Sequence, residues 1–357
     1  MNQYIPAYII AYSNSDFTNP HEVVLPDEPK DCRKEFTHAG AKYWGLETNR
    51  HKATRVDKVN KKIYYQHEAH NWIKIGLKQR AEISNIKVST KWFTGNQVQA
   101  ISVVLIDEFT QNTSEVLTRV ALQPDQEHTF SFVPTMATEC HISIYYEGGI
   151  SRINFFGEIV AQQLPKRANL LEKAIISHVS NDHYGHPKMA VNGNRKELHM
   201  VGWESARTGF GEQAIFHLAK PSNIQEIIVD TYLHRFNAPL TCHVFGLLLE
   251  GEKDLADYLS TTPKWMLQFE DGHKVLPTNF QEYMLQQSYL KEKTNQPNKF
   301  EILLFNPPNS PWKAVLPYES LNPDTYHRFT ALKHSGLFSH LLYLHYPNGG
   351  IHGLKVY

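Results

Sequence analysis

Two six-residue blocks place a carboxylate three positions before a guanidinium: Gly45-Leu46-Glu47-Thr48-Asn49-Arg50 and Gly202-Trp203-Glu204-Ser205-Ala206-Arg207. Downstream of each stands an amide, Asn96 and Asn237, and further on a glycine pair, Gly148-Gly149 and Gly349-Gly350. These types suit a small polar ligand. A guanidinium grips a carboxylate through two parallel hydrogen bonds. Carboxylate and amide oxygens accept N–H groups, and an amide nitrogen donates to a carbonyl. Paired glycines let backbone approach a ligand closely, although hairpin turns use them too. Plainer readings stand beside these. Glu204 with Arg207 makes a local surface ion pair, Asp230 a turn acceptor, and His128 and His327 hydrogen bonds inside their own domains.

Other chemistries lack their motifs. There is no GxSxG, no glycine-rich loop with Lys-Ser/Thr, and no GxGxxG after a strand. The chain holds 20 His. His67-Glu68-Ala69-His70 and the pair His183 and His186 set imidazoles three apart, but neither is the H-E-x-x-H of zinc hydrolases. No cofactor is expected, and nothing in the sequence supports a divalent metal. Cys32, Cys140 and Cys242 are far apart, so small buried thiols are expected rather than disulfides. With 36 Lys+Arg against 36 Asp+Glu, no nucleic-acid footprint is expected. No apolar run reaches membrane-spanning length, and the first residues lack the basic start of a signal peptide. A cytoplasmic setting fits, with no membrane partner.

These residues belong to a duplication. The Glu-x-x-Arg blocks are offset by 157 residues. Val88-Ser89-Thr90 with Asn96 returns as Val229-Asp230-Thr231 with Asn237, offset by 141. Pro124-Asp125 with His128 and Phe130 returns as Pro323-Asp324 with His327 and Phe329, offset by 199. Gly148-Gly149-Ile150 returns as Gly349-Gly350-Ile351, offset by 201. The rise from 141 to 199 implies about 58 extra residues in the second copy. That insertion spans about 246–309, and the spacing over 280–293 predicts a helix. A ligand-site cap and an oligomer contact are both open to it.

Elsewhere short runs rich in Val, Ile, Tyr and Phe predict strands at 86–93, 101–106, 141–146, 227–232, 300–305 and 341–346. Without alternating helices the class is all-β: two tandem β-sandwich domains with a partly helical insertion in the second. The expected boundaries are 1–160, a linker at 161–172, and 173–357.

The same blocks resemble the allantoicase family. Further matches are Phe36-x-His38-x-Gly40, His70-Asn71-Trp72, Phe93-Thr94-Gly95-Asn96 and Gly148-Gly149-Ile150-x-Arg152 in the first copy. The second copy matches at 180–185, 202–207, Asp230-Thr231 with Asn237 and Pro239, and 347–351. The resemblance implies paired jelly rolls. It also implies hydrolysis of allantoate to ureidoglycolate and urea in purine degradation. The copies depart from the pattern in different places. The family's Trp becomes Leu46 and its Asp becomes Ser89 in the first; Phe236 replaces a Gly, and Gly353 an Arg, in the second.

Allantoate carries a carboxylate and two ureido arms. On this resemblance Arg50, Arg152 and Arg207 are candidates for the carboxylate. Glu47, Asn96 and Asn237 are candidates for the ureido groups, with Gly349 and Gly350 beside them. Leaving urea needs a proton and attacking water must lose one. Glu204 and His234 are expected to serve there, with Asp230 as orienter; His38 and His345 stay unassigned. The competing reading is a sandwich that binds carbohydrate or another small ligand without chemistry, since fold alone does not decide function.

Overall fold

Strand Asn71–Ser89 shows how the period-two pattern builds a sandwich. Ile73, Ile75 and Leu77 are buried, whereas Trp72 and Lys74 are only half-buried. The buried row resumes at Ala81 and Ile83 and then changes phase to Ile86 and Val88, each time after a register shift against the neighbouring strand. In this computed structural model the described residues are all except 1, 16–17, 39, 52–53, 66–70, 161–166, 196–200, 208–210, 252–253, 277–299 and 335. The chain divides into two units, Met1–Leu164 (unit 1) and Pro165–Tyr357 (unit 2).

In unit 1 a seven-stranded antiparallel sheet supplies both layers. Its two 19-residue strands, Asn71–Ser89 and Glu127–Tyr145, exceed the usual strand length. Residues 71–76 pair with 139–144, and residues 81–89 pair with 127–137. Register shifts at the crossing let each strand serve both layers. The core between them runs from Ile5 and Ile9 through Ile83, Val88 and Val103 to Phe155.

Unit 2 keeps the plan but separates the sheets. Five strands run in the order Ile175–Ser177, Glu212–Asn223, Leu337–Tyr346, Thr241–Leu247, Lys313–Ser320. Three more run Tyr326–Phe329, Ile227–Asp230, Gly353–Val356. Trp203, Phe216, Val229, Val244 and Tyr343 belong to the core cluster of these strands. Each of the six segments expected as strands contains a strand, although only the first half of 86–93 is one. Two end early, at Ser89 and Asp230, where Thr90 and Thr231 turn the chain.

The regular structure in the described part of the insertion is mainly strand. Lys264–Phe269 lies between Lys274–Val275 and Phe300–Phe305, and a short 3-10 helix covers Leu255–Thr261. The expected helix at 280–293 lies outside the described residues. Trp265, Leu267 and Phe269 pack on Ile215, Phe245, Leu342 and Leu344. The last four lie on the opposite face of the five-stranded sheet from Ala214, Phe216, Val244 and Tyr343. That sheet is therefore buried on both faces, and Thr241–Leu247 is buried at every residue. Its counterpart in unit 1, Ala100–Asp107, has three half-buried residues. No helix among the described residues is long and apolar enough to cross a membrane. All three cysteines are free and buried.

Candidate active site

The turn after Ile227–Asp230 is fixed before it presents any side chain. Thr231 Oγ1 donates to Asn322 O at 2.6 Å and accepts from Thr325 N at 2.9 Å. His234 N donates to Thr231 O at 2.9 Å. Leu233 takes a left-handed φ of 62° and donates its N–H to Asp324 Oδ1 at 2.8 Å. This delivers His234 and Asn237 to the short ladder in which Glu204 faces Gly350. Gly350 N donates to Asn237 O at 2.8 Å.

There the side chains form a chain of contacts. Asn237 Nδ2 donates to Glu204 Oε1 at 2.8 Å, and Asn237 Oδ1 lies 3.3 Å from His234 Nδ1. The amide oxygen facing the ring assigns the Nδ1 proton to His234 as donor. Gly350 is required here, because a Cβ on it would come within 2.2 Å of His234 Cε1. Burial lowers the His234 pKa; Glu204 and Asn237 pull the other way without reversing it. The imidazole is therefore neutral near pH 7. Its Nε2 is buried and has no hydrogen-bond partner, so Glu204 and Asn237, both half-buried, are the groups that face outward.

Asp230 sits beside this chain in a different environment. Arg195 Nε and Nη2 hold its two oxygens at 2.8 Å each, and Tyr232 N donates to Oδ1 at 3.0 Å. The Arg195 guanidinium also lies 5.0 Å from the Tyr232 ring. Burial works to raise the Asp230 pKa, but Arg195 outweighs it and the net shift is downward. The acid is thus a buried carboxylate committed to Arg195. Its link to His234 is electrostatic and adds to a pull dominated by Glu204.

A second carboxylate of unit 2 interacts with Ser205, the residue after Glu204. Glu212 is buried, accepts from Ser180 Oγ, and has its pKa pushed up to about 7 by that burial. It is paired across the sheet with His345, which is fully buried, with both ring nitrogens unpartnered and a pKa held at about 3 by burial. The Trp203 ring lies 4.9 Å from the His345 ring. His352 Nε2 lies 2.8 Å from Asn194 O, and its ring 4.9 Å from Tyr232.

Unit 1 repeats the frame without most of the titratable groups. Asn96 Nδ2 donates to Glu47 Oε1 at 2.8 Å, and Glu47 faces Gly149. Phe93 takes the place of His234: its N donates to Thr90 O at 2.9 Å, and a Cβ on Gly149 would come within 2.0 Å of its ring. Ser89, opposite Arg152, takes the place of Asp230, opposite Gly353. Asn71, Ile144 and Ser151 stand in the places of Glu212, His345 and His352.

The sequence-expected residues therefore fall into groups. Glu204, His234, Asn237, Gly349 and Gly350 come together in unit 2, with Asp230 adjacent. Glu47 and Asn96 form the matching pair in unit 1. Arg50 and Arg207 are exposed, and Arg50 exerts an electrostatic pull on Glu47. Arg152 is committed elsewhere, to Glu28 at 2.8 Å and Glu127 at 2.5 Å. His128 and His327 bond within their sandwiches, to Val88 O and Val229 O at 3.2 and 3.0 Å. His186 caps a short helix by accepting from Lys188 N at 3.1 Å. His67 and His70 lie outside the described residues. Sequence reasoning missed Arg195, Glu212 and His352, none of which lies in a repeated motif. Among the described residues no group of three or more His, Cys, Asp or Glu is arranged to hold a metal ion.

A duplicated β-sandwich whose copies share a carboxylate–amide pair, with a buried imidazole behind only one of them, defines the class. Comparison with known proteins agrees. A family model described as the allantoicase repeat matches residues 1–160 and again 168–357. The chain belongs to the allantoicase family. Allantoicase of Saccharomyces cerevisiae is 26% identical over 267 residues, 68% of this chain and 74% of its own length. A probable allantoicase of Rhizobium meliloti is 23% identical over 365 residues, 97% of this chain and 89% of its own. A solved structure of allantoicase is 20% identical, covers 99% of this chain and 90% of that one, and gives a TM-score of 0.34.

Proposed function

We propose that this protein hydrolyses allantoate to ureidoglycolate and urea, in the cytoplasm, as a step of purine degradation. The observation that carries the reading is the Glu204–Asn237–His234 chain of unit 2 in a member of this family. A ureido arm offers N–H donors to Glu204 and a carbonyl to Asn237 Nδ2. Arg207, exposed three residues beyond Glu204, meets the carboxylate.

The reaction adds water to the central carbon and breaks its bond to one ureido nitrogen. One proton leaves the water and one arrives on the departing urea. Glu204 is the carboxylate placed to do both in turn. His234 reaches the ligand only through Asn237, so it acts as a positioning residue: its Nδ1–H fixes the amide with Nδ2 toward Glu204. Arg195 and Asp230 brace the turn that carries both. We assign no resident cofactor to the site.

Carbohydrate binding without chemistry is not favoured, because relatives spanning most of the chain are named as allantoicases or probable allantoicases. Incubating the purified protein with allantoate and measuring urea tests the proposal. Urea and ureidoglycolate in equal amounts support it, and their absence at high enzyme concentration removes it.

A further inference from the structure

We infer that unit 1 carries a second binding site for a ureido group, one that holds its ligand without hydrolysing it. The inference rests on the reading above, in which the Glu204–Asn237 pair recognises a ureido arm. The same pair is kept in unit 1 at the same length, 2.8 Å from Asn96 Nδ2 to Glu47 Oε1. Its backbone frame is kept as well. Gly149 N donates to Asn96 O at 2.8 Å, as Gly350 N does to Asn237 O. Thr48 N donates to Gly148 O at 3.0 Å, as Ser205 N does to Gly349 O at 3.1 Å.

What is lost is selective. The five places held in unit 2 by Glu212, Asp230, His234, His345 and His352 are held in unit 1 by Asn71, Ser89, Phe93, Ile144 and Ser151. The replacement that decides is Phe93: its side chain has no N–H to fix the Asn96 amide, the positioning contact that His234 makes to Asn237 in unit 2. Behind Asn96 the ring of Phe93 stacks on Tyr43 at 4.9 Å, so the amide has an apolar wall where unit 2 has an imidazole.

Glu47 is itself 9% exposed, and its burial raises its pKa. A carboxylate in that position is costly for packing alone. An apolar residue is accommodated next door, at Leu46. The Glu47 acceptor and the Asn96 amide donor suit a planar group with N–H donors around a carbonyl. Arg50 adds a positive charge at the exposed end of the block, so the ligand class is a ureido acid. Substrate and ureido product share that chemistry.

The test is calorimetric titration of the His234→Phe chain, in separate arms with allantoate, ureidoglycolate and urea. The expected result is a binding event for the ureido acids that Glu47→Leu removes. Asn96→Ala, checked for folding by its melting temperature, gives the same loss by a second route. Ureido-acid binding untouched by both substitutions overturns the inference. So does binding of urea alone. The two readings fail separately. A wild-type chain that releases urea but shows no Glu47-dependent binding overturns only the silent site. One that binds through Glu47 but releases no urea overturns only the hydrolase reading.

Discussion

His234 in unit 2 occupies the place that Phe93 occupies in unit 1. Each ring lies against the second glycine of its repeat, Gly350 or Gly149, and each backbone N–H bonds the threonine three residues before it at 2.9 Å. The substitution His234→Phe therefore copies a side chain that the fold already accommodates at this place. The variant is expected to fold with a melting temperature near wild type. It should lose turnover by roughly a hundredfold, within the range for a displaced acid–base system. His234→Asn puts an amide nitrogen near the Nδ1 position and should restore part of kcat. A role in packing alone predicts no such rescue, and kinetics with melting curves on the two variants decide.

Glu204→Gln keeps an oxygen for Asn237 Nδ2 and removes the proton-transfer group. Turnover should fall by roughly a hundred- to ten-thousand-fold. Substrate binding, read by calorimetry, should weaken far less. Unchanged turnover takes Glu204 out of the mechanism.

Arg195 and Asp230 form a buried pair, with side chains 15% and 7% exposed. Arg195→Met leaves a buried carboxylate without its counter-charge and should cost about 3–5 kcal/mol of stability. The double variant Arg195→Met with Asp230→Leu should recover much of that, because both charges are gone. Since Arg195 depresses the Asp230 pKa, the stability it contributes is present above the ordinary carboxylate range. It is lost as pH falls through the folded value. Wild type should therefore destabilise in acid more steeply than the double variant, as melting curves against pH would record.

Glu212 works in the opposite sense. Its folded pKa, pushed up to about 7 by burial, lies above the unfolded one near 4.5. Between those values the folded state holds a proton that the unfolded state has lost. Stability then falls as pH rises across that window and is flat above it. Glu212→Gln removes the dependence, so the variant should gain on wild type from about pH 5 to pH 8. A variant that tracks wild type across the range contradicts the burial argument.

Much of the fold was legible because its signals are local or repeated. Period-two runs marked the strands, and four motif pairs marked the duplication. Glu204 and Asn237 stood in those repeats. The bend of 71–89 across two layers was hidden, since a register shift belongs to two strands and not to one. Arg195 was hidden for a similar reason: its partner lies 35 residues away and outside any repeated block. Arg152 looked like an anion clamp until the fold supplied Glu28 and Glu127 as its partners. The burial that makes Glu212 unusual cannot be read beside Gln213 in a linear chain. The insertion is explained by the sheet face it covers, which no local pattern announces.

The central claim is that unit 2 carries out ureide hydrolysis on Glu204. Urea release from allantoate by the purified chain, measured with and without added divalent metal and beside Glu204→Gln, tests it most directly. Urea and ureidoglycolate should appear in equal amounts from wild type and almost none from the variant. No urea from wild type in either condition, or equal urea from both proteins, would contradict it.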